Sequence, residues 1–215
     1  MSVIFTKIKT INLPIKLSRT SRPSLDEEEN DASDDNQYMK SIRLQTRVIL
    51  DATVVSIREK EEALKQLGTL AYTAGHTVST MAGQFLPPVF SIIKDPKSHP
   101  VLVMASLRTI AMACLRCRSA KELFFQDKAL IKTLLTFIDG TEFVNRCRWA
   151  CYALELAMTD NHALMNEMKD YPRVVSILTR AADYPRSWAG WGCNVADLLL
   201  KMLAFRDPSK PVPLF

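Results

Sequence analysis

One short pattern returns along this chain at a nearly fixed interval, and that recurrence restricts the fold more than any single motif. Leu67-Gly68-Thr69-Leu70-Ala71 lines up with Leu107-Arg108-Thr109-Ile110-Ala111 at an offset of 40, and Ala150-Cys151-Tyr152-Ala153-Leu154-Glu155-Leu156-Ala157 places Leu154 a further 47 residues along. A fourth stretch, Val195 to Leu203, follows after roughly another 42–45 residues, inside the usual range of stacked helical units. A second feature keeps the same time: Pro87, Ala129 and Pro172 precede the apolar segments at Val89, Leu130 and Val174 with offsets of 42 and 43. Within each segment the apolar residues step by three and four, as in Ala63, Leu64, Leu67, Leu70 and Ala71, which is the spacing of one helix face.

No strand competes with these helical signals after residue 41. Ser119-Ala120-Lys121-Glu122 has the spacing of a capping box, in which the Ser and Glu side chains satisfy orphan N–H groups of a first turn. Asp139-Gly140 reads as a stop, and Pro87-Pro88, Pro96, Pro172 and Pro185 as helix boundaries. Counted from this punctuation, the chain holds roughly nine to twelve short helices. The expected fold is an all-α, right-handed helical repeat array of about three to four repeats. Only 6 glycines occur in 215 residues, which suits helices joined by short turns and leaves little from which to build a Gly-rich phosphate loop.

Charge divides the chain. Residues 1–25 carry Lys7, Lys9, Lys16, Arg19 and Arg22 with no acid, and Asp26 to Asp35 then holds seven acids with no base. The stretch from Ser18 to Gln37 has too few apolar groups to offset its ordering entropy and reads as a linker. Ile11 to Leu17 alternates apolar residues around Pro14, which favours an extended docking segment over the amphipathic helix of a transit peptide. Ser24, followed by Leu25 and four acids, has the look of a substrate for an acid-directed kinase. The expected organisation is an N-terminal tail over 1–40, basic then acidic and mostly disordered or extended, a helical domain over 41–207 and a short C-terminal tail over 208–215. Beyond residue 35 the chain has 23 bases and 16 acids, a surplus that permits anionic partners without calling for them.

Over about residues 59–205 the repeated segments resemble the armadillo family. The third helix of that family's unit runs close to Ala-x-Trp-Ala-Leu-Ser-Asn-Ile-Ala, and Ala150 to Met158 is similar, as are Leu67 to Ala71 and Leu107 to Ala111 over the second half. The resemblance implies third helices lining a groove that holds extended peptides. Carried over position by position, Lys65, Ala105 and Tyr152 stand where the family has its groove tryptophan, and Thr69, Thr109 and Leu156 where it has its ladder asparagine. In importin-like members the asparagines bond the peptide backbone and the tryptophans stack on basic side chains. None of the six positions keeps the family's residue, so recognition of that kind loses its mechanism. With Arg108, five of these positions (Lys65, Thr69, Thr109, Tyr152 and Leu156) form the candidate partner-binding groove.

Other chemistry is weighed against plain packing. Cys114, Cys117, Cys147 and Cys151 have helical i,i+3 and i,i+4 spacing that would gather thiols for zinc, but their apolar neighbours favour buried contacts, and no metal or cofactor is expected. An odd count of five cysteines in such settings fits a reducing, cytoplasmic location better than a disulfide framework. His76, His99 and His162 fall at apparent helix boundaries, where caps or solvated residues are the ordinary role, and no nucleophile motif is present, so no enzyme activity and no small-molecule substrate are expected. Arg116, Arg118, Arg146 and Arg148 form an alternative basic stripe for nucleic acid or anionic membrane. Trp188 and Trp191, three apart and accompanied by Gly190 and Gly192, either form an exposed end patch or cover the end of the stack. The function that fits best is a non-enzymatic adaptor or scaffold for a protein partner. The alternatives are a subunit of a cytoskeletal or ciliary assembly and a binder of anionic lipid or nucleic acid.

Overall fold

The computed structural model describes residues 27–51, 55–140, 143–184, 188–207 and 209, with side chains from residue 36 onward except at 75–77. Residues 1–26 therefore lie outside the description, and with them the basic half of the expected tail and Ser24. Ten helices and no strand occur among the described residues.

The helices fall into four units. The first is α1 (Glu27–Leu50) and α2 (Ile57–Thr73), the second α3 (Gly75–Lys94) and α4 (Pro100–Arg116). The third is α5 (Arg118–Gln126), α6 (Lys128–Asp139) and α7 (Val144–Met158), the fourth α8 (His162–Asp170), α9 (Val174–Asp183) and α10 (Val195–Met202). The last helices of the units, α2, α4, α7 and α10, pack side by side in that order, while α3, α6 and α9 make a second layer behind them. One continuous core runs through the whole stack, from Ile42 to Leu203. This is the behaviour of a repeat array, in which each unit buries its apolar face against its neighbours.

The termini of the helices show why the chain breaks where it does. Ser56 and Glu59 form a reciprocal capping box at α2, the Ser56 N–H donating to Glu59 Oε2 at 2.8 Å and the Glu59 N–H to Ser56 Oγ at 3.3 Å. Asp127, Asn161 and Asn194 cap α6, α8 and α10 by accepting from the third residue on. His99 caps α4 through Nδ1, with Pro100 at the first helical position. Gly140 closes α6 directly after Asp139, as the Asp-Gly pair indicates.

Four sequence expectations are corrected. The acidic run is helical from Glu27, so helical structure begins well before residue 41. Met39, Ile42, Thr46 and Ile49, at steps of three and four, anchor the later turns of α1. Pro87 and Pro88 do not bound a helix but lie inside α3. Each costs about 3 kcal/mol in a helix interior. Val78, Met81, Ala82, Phe85, Leu86, Val89, Phe90 and Ile93 are buried on both sides of them, and at roughly 1.5–3 kcal/mol per large side chain that burial outweighs the loss.

Ser119 is not the cap of α5. The helix starts one residue earlier and Cys117 caps it, its Sγ accepting from the Ala120 N–H at 3.4 Å, while Ser119 Oγ donates to the Ser79 carbonyl of α3 at 2.6 Å. The tertiary bond captures the hydroxyl that a capping box would need. Finally, the units do not stand 40 and then 47 residues apart: α2, α4 and α7 start at residues 57, 100 and 144. Leu67 and Leu154 each stand ten residues beyond their helix starts but Leu107 only seven, so the alignment on Leu107 is slipped by about three residues, which turns the face by about 60°.

Candidate functional site

Where α4, α7 and the turn before α10 meet, four aromatic rings cluster, two of them buried, and guanidinium groups lie over the half-buried rings at the surface. Trp149 and Tyr152, three apart on α7, pack edge to face with centroids 5.8 Å apart. Trp191 contacts both of them, at 5.6 Å from Trp149 and 6.1 Å from Tyr152, and Trp188 backs Trp191 at 5.9 Å. Such edge-to-face pairs add about 0.5–1.5 kcal/mol each beyond their burial. Gly190, at φ 80°, lies in the turn between the two tryptophans that brings Trp191 onto α7.

Arginines cover these rings. The Arg108 guanidinium lies 5.2 Å over Trp149, that of Arg148 6.0 Å over Trp191, and that of Arg116, further along α4, 5.2 Å over Tyr72 of α2. Arg108 and Arg116 are exposed, and among the described residues neither has a carboxylate within ion-pair distance. Arg148 is held more firmly, donating to the Ala189 carbonyl at 3.0 Å. Trp149, Trp191 and Tyr72 remain half-buried, so the face shows both ring surface and positive charge to solvent.

Beneath the rings, burial pushes the Tyr152 hydroxyl up to about 12, with Glu155, Cys193 and Tyr72 adding to it. Tyr152 is therefore a neutral donor across the physiological range. Burial also raises the Glu155 carboxyl above its ordinary range, against the opposing effects of Thr159 and Lys121. Met112 sits between Arg108 and Arg116 on α4, one turn from each.

A stack of four helical units with its last helices aligned is the architecture that the sequence resemblance implied. A family profile described as Armadillo-like helical domain-containing protein 2 matches residues 9–207. The chain belongs to this family. No curated protein matches it. The matched span takes in all ten helices and the whole aromatic face of this armadillo-like domain.

Its face differs from the groove drawn from sequence. Lys65 is exposed on α2 but pairs with Glu61 at 2.8 Å, and the Thr69 hydroxyl donates to the Lys65 carbonyl at 3.1 Å. Thr109 is only 1% exposed: its hydroxyl donates to the Leu64 carbonyl on the neighbouring helix at 2.7 Å, with the Ala105 carbonyl at 3.0 Å. Leu156 and Tyr152 are buried as well. Thr109 and Leu156 are therefore packing residues and offer a partner nothing, while Arg108 stands on the open face. On α4 the slipped alignment is the reason, since it chose buried Ala105 and Thr109 in place of Arg108 and Met112 three residues further on.

The four cations proposed as a basic stripe do not assemble. Arg116 lies on Tyr72, and Arg118 pairs with Glu122 at 3.1 Å. Arg146 is sandwiched between Phe137 and Phe143 at 4.5 and 4.4 Å, and Arg148 lies against Trp191. Residues two apart on a helix point about 200° apart, so Arg146 and Arg148 cannot share a face. Trp188 is not part of an exposed patch: it is wholly buried and its Nε1–H donates to the Ala181 carbonyl at 2.9 Å.

Tyr72, Met112, Trp149 and Glu155 were missed as a group. The signal for them is the i,i+3 aromatic pair at Trp149 and Tyr152, which returns as Trp188 and Trp191 one unit later. The cysteines take up packing roles: Cys114, Cys117, Cys147 and Cys151 are buried free thiols, and Cys147 Sγ approaches the Ile138 carbonyl at 3.7 Å. Among the described residues no three His, Cys, Asp or Glu side chains are grouped to hold a metal, and no helix is long and apolar enough to cross a membrane.

Proposed function

We propose that this armadillo-like domain is a non-catalytic protein-interaction module whose contact surface is the α4–α7 face of Arg108, Met112, Arg116, Trp149 and Trp191. One observation carries the reading: three half-buried aromatic rings, two on the aligned last helices and one in the turn before α10, are flanked by two exposed arginines with no carboxylate partner among the described residues. Tryptophan, tyrosine and arginine are the side chains that dominate binding energy at protein interfaces, because each buries a large area around a polar handle. A cytoplasmic setting accords with five cysteines that are all free thiols. The dispersal of Arg116, Arg118, Arg146 and Arg148 over separate partners counts against a nucleic-acid or lipid stripe.

Photo-crosslinking tests the surface directly. Benzoylphenylalanine in place of Met112 is expected to crosslink one protein species at high yield in native extract, and the same label in place of Thr133 on α6 is expected to give none. Equal crosslinking from both positions, or none from position 112, would contradict the assignment.

A further inference from the structure

The arrangement of the arginines also says what kind of chain the face accepts. A groove tryptophan open to solvent selects lysine or arginine, whose charge stacks on the ring. Here that place is taken by the protein itself, with Arg108 at 5.2 Å over Trp149 and Arg116 at 5.2 Å over Tyr72. A basic side chain arriving at either ring would meet a like charge. A carboxylate would instead meet a guanidinium already oriented by its ring and needing little further ordering.

We propose that the α4–α7 face binds an extended acidic protein segment, with carboxylates on Arg108 and Arg116 and an apolar side chain between them over Met112 and the exposed edges of Trp149 and Trp191. This rests on the face being the interface. Arg108 and Arg116 are eight residues apart on α4, about 12 Å at 1.5 Å per residue. Extended chain covers that distance in roughly four residues at about 3.3 Å each, so acids about four apart are the expected pattern. Both arginines belong to one rigid helix buried on nearly every other side, so the spacing is fixed before any partner arrives.

The test is selection from a randomised twelve-residue peptide library displayed on phage, using the whole chain as bait. Enrichment of Asp or Glu at two positions about four apart, with an apolar residue between, is expected for the wild-type chain. The same enrichment should survive in Lys97→Glu/Lys169→Glu, which makes an equal charge change in the α3–α4 loop and at the end of α8. It should fall at least about tenfold in Arg108→Glu/Arg116→Glu, with circular dichroism confirming that this variant is folded. Binding of a synthetic form of the selected peptide should weaken as sodium chloride is raised, because exposed ion pairs are screened. Enrichment of basic or neutral peptides that still depends on Trp149 and Trp191 would overturn the acidic specificity and leave the interface standing. No selection that depends on any of these residues, or tighter binding of a single-stranded oligonucleotide than of any peptide, would overturn both.

Discussion

The Thr109 hydroxyl reaches from α4 to the Leu64 carbonyl of α2 at 2.7 Å, joining two neighbouring helices of the inner layer. Gly68 lies against that contact: a Cβ there would stand 3.4 Å from the Thr109 Cα and 3.6 Å from its Oγ1, which leaves room for a methyl group but not for a larger side chain. Thr109→Val removes the bond and leaves no buried donor behind, so it should cost about 0.5–1.5 kcal/mol in urea unfolding. Gly68→Ala should lie within about 1 kcal/mol of wild type, because the contact is tolerable and alanine favours the helix by about that amount. Gly68→Leu, which must push its further atoms into Thr109, should lose about 1–3 kcal/mol.

At the other end, Arg206 folds back to close the array. It contacts Asp197 at 2.5 Å and Asp183 at 2.8 Å, while Lys201 lies 3.2 Å from the buried Asp197 carboxylate. Asp197→Ala takes the negative charge from between two cations and should cost about 3 kcal/mol or more. Arg206→Ala, at a partly exposed position, should cost about 1–2 kcal/mol. The order of the two losses in thermal unfolding checks the account, and the reverse order would show that Arg206 is the main support.

Stability should also depend on pH through Glu155 and Tyr152. Burial raises the Glu155 carboxyl in the folded state, so the native chain holds its proton at pH values where the unfolded chain has released it. Stability then falls as pH rises through the ordinary carboxyl range towards the raised value, and the loss persists at neutral pH. Glu155→Gln should raise the melting temperature at pH 7, with the gain fading as pH drops below about 4.5, where Glu155 is protonated in both states. For Tyr152, raised to about 12, the same sign applies at the alkaline end: stability should fall from pH 10 upward, an effect that Tyr152→Phe removes.

The architecture was legible because each repeat must bury the same helix face, and that need writes a period into the sequence. Leu67 and Leu154 keep it across two units, as do the starts near Ala129 and Pro172. The candidate surface was less legible, because a face depends on rotation as well as period. A slip of about three residues at Leu107 was enough to bring Ala105 and Thr109 into the drawn groove and to leave out Met112. Local rules failed where a tertiary partner took the group they rely on. Ser119 gives its hydroxyl to Ser79, and Pro87-Pro88 yields to the packing of Phe85, Leu86, Val89 and Phe90. The pairing of Arg108 with Trp149 joins residues on different helices, and nothing in the spacing of either segment alone announces it.

The claim that the α4–α7 face is the working surface is tested most directly by quantitative affinity purification from native tissue extract. Wild type, Arg108→Glu/Arg116→Glu and the charge-matched Lys97→Glu/Lys169→Glu would be compared at equal folded concentration. A stoichiometric protein partner recovered with wild type and the control pair, and lost at least about tenfold with the Arg108/Arg116 pair, is the predicted result. Equal recovery of that partner by all three chains would contradict it.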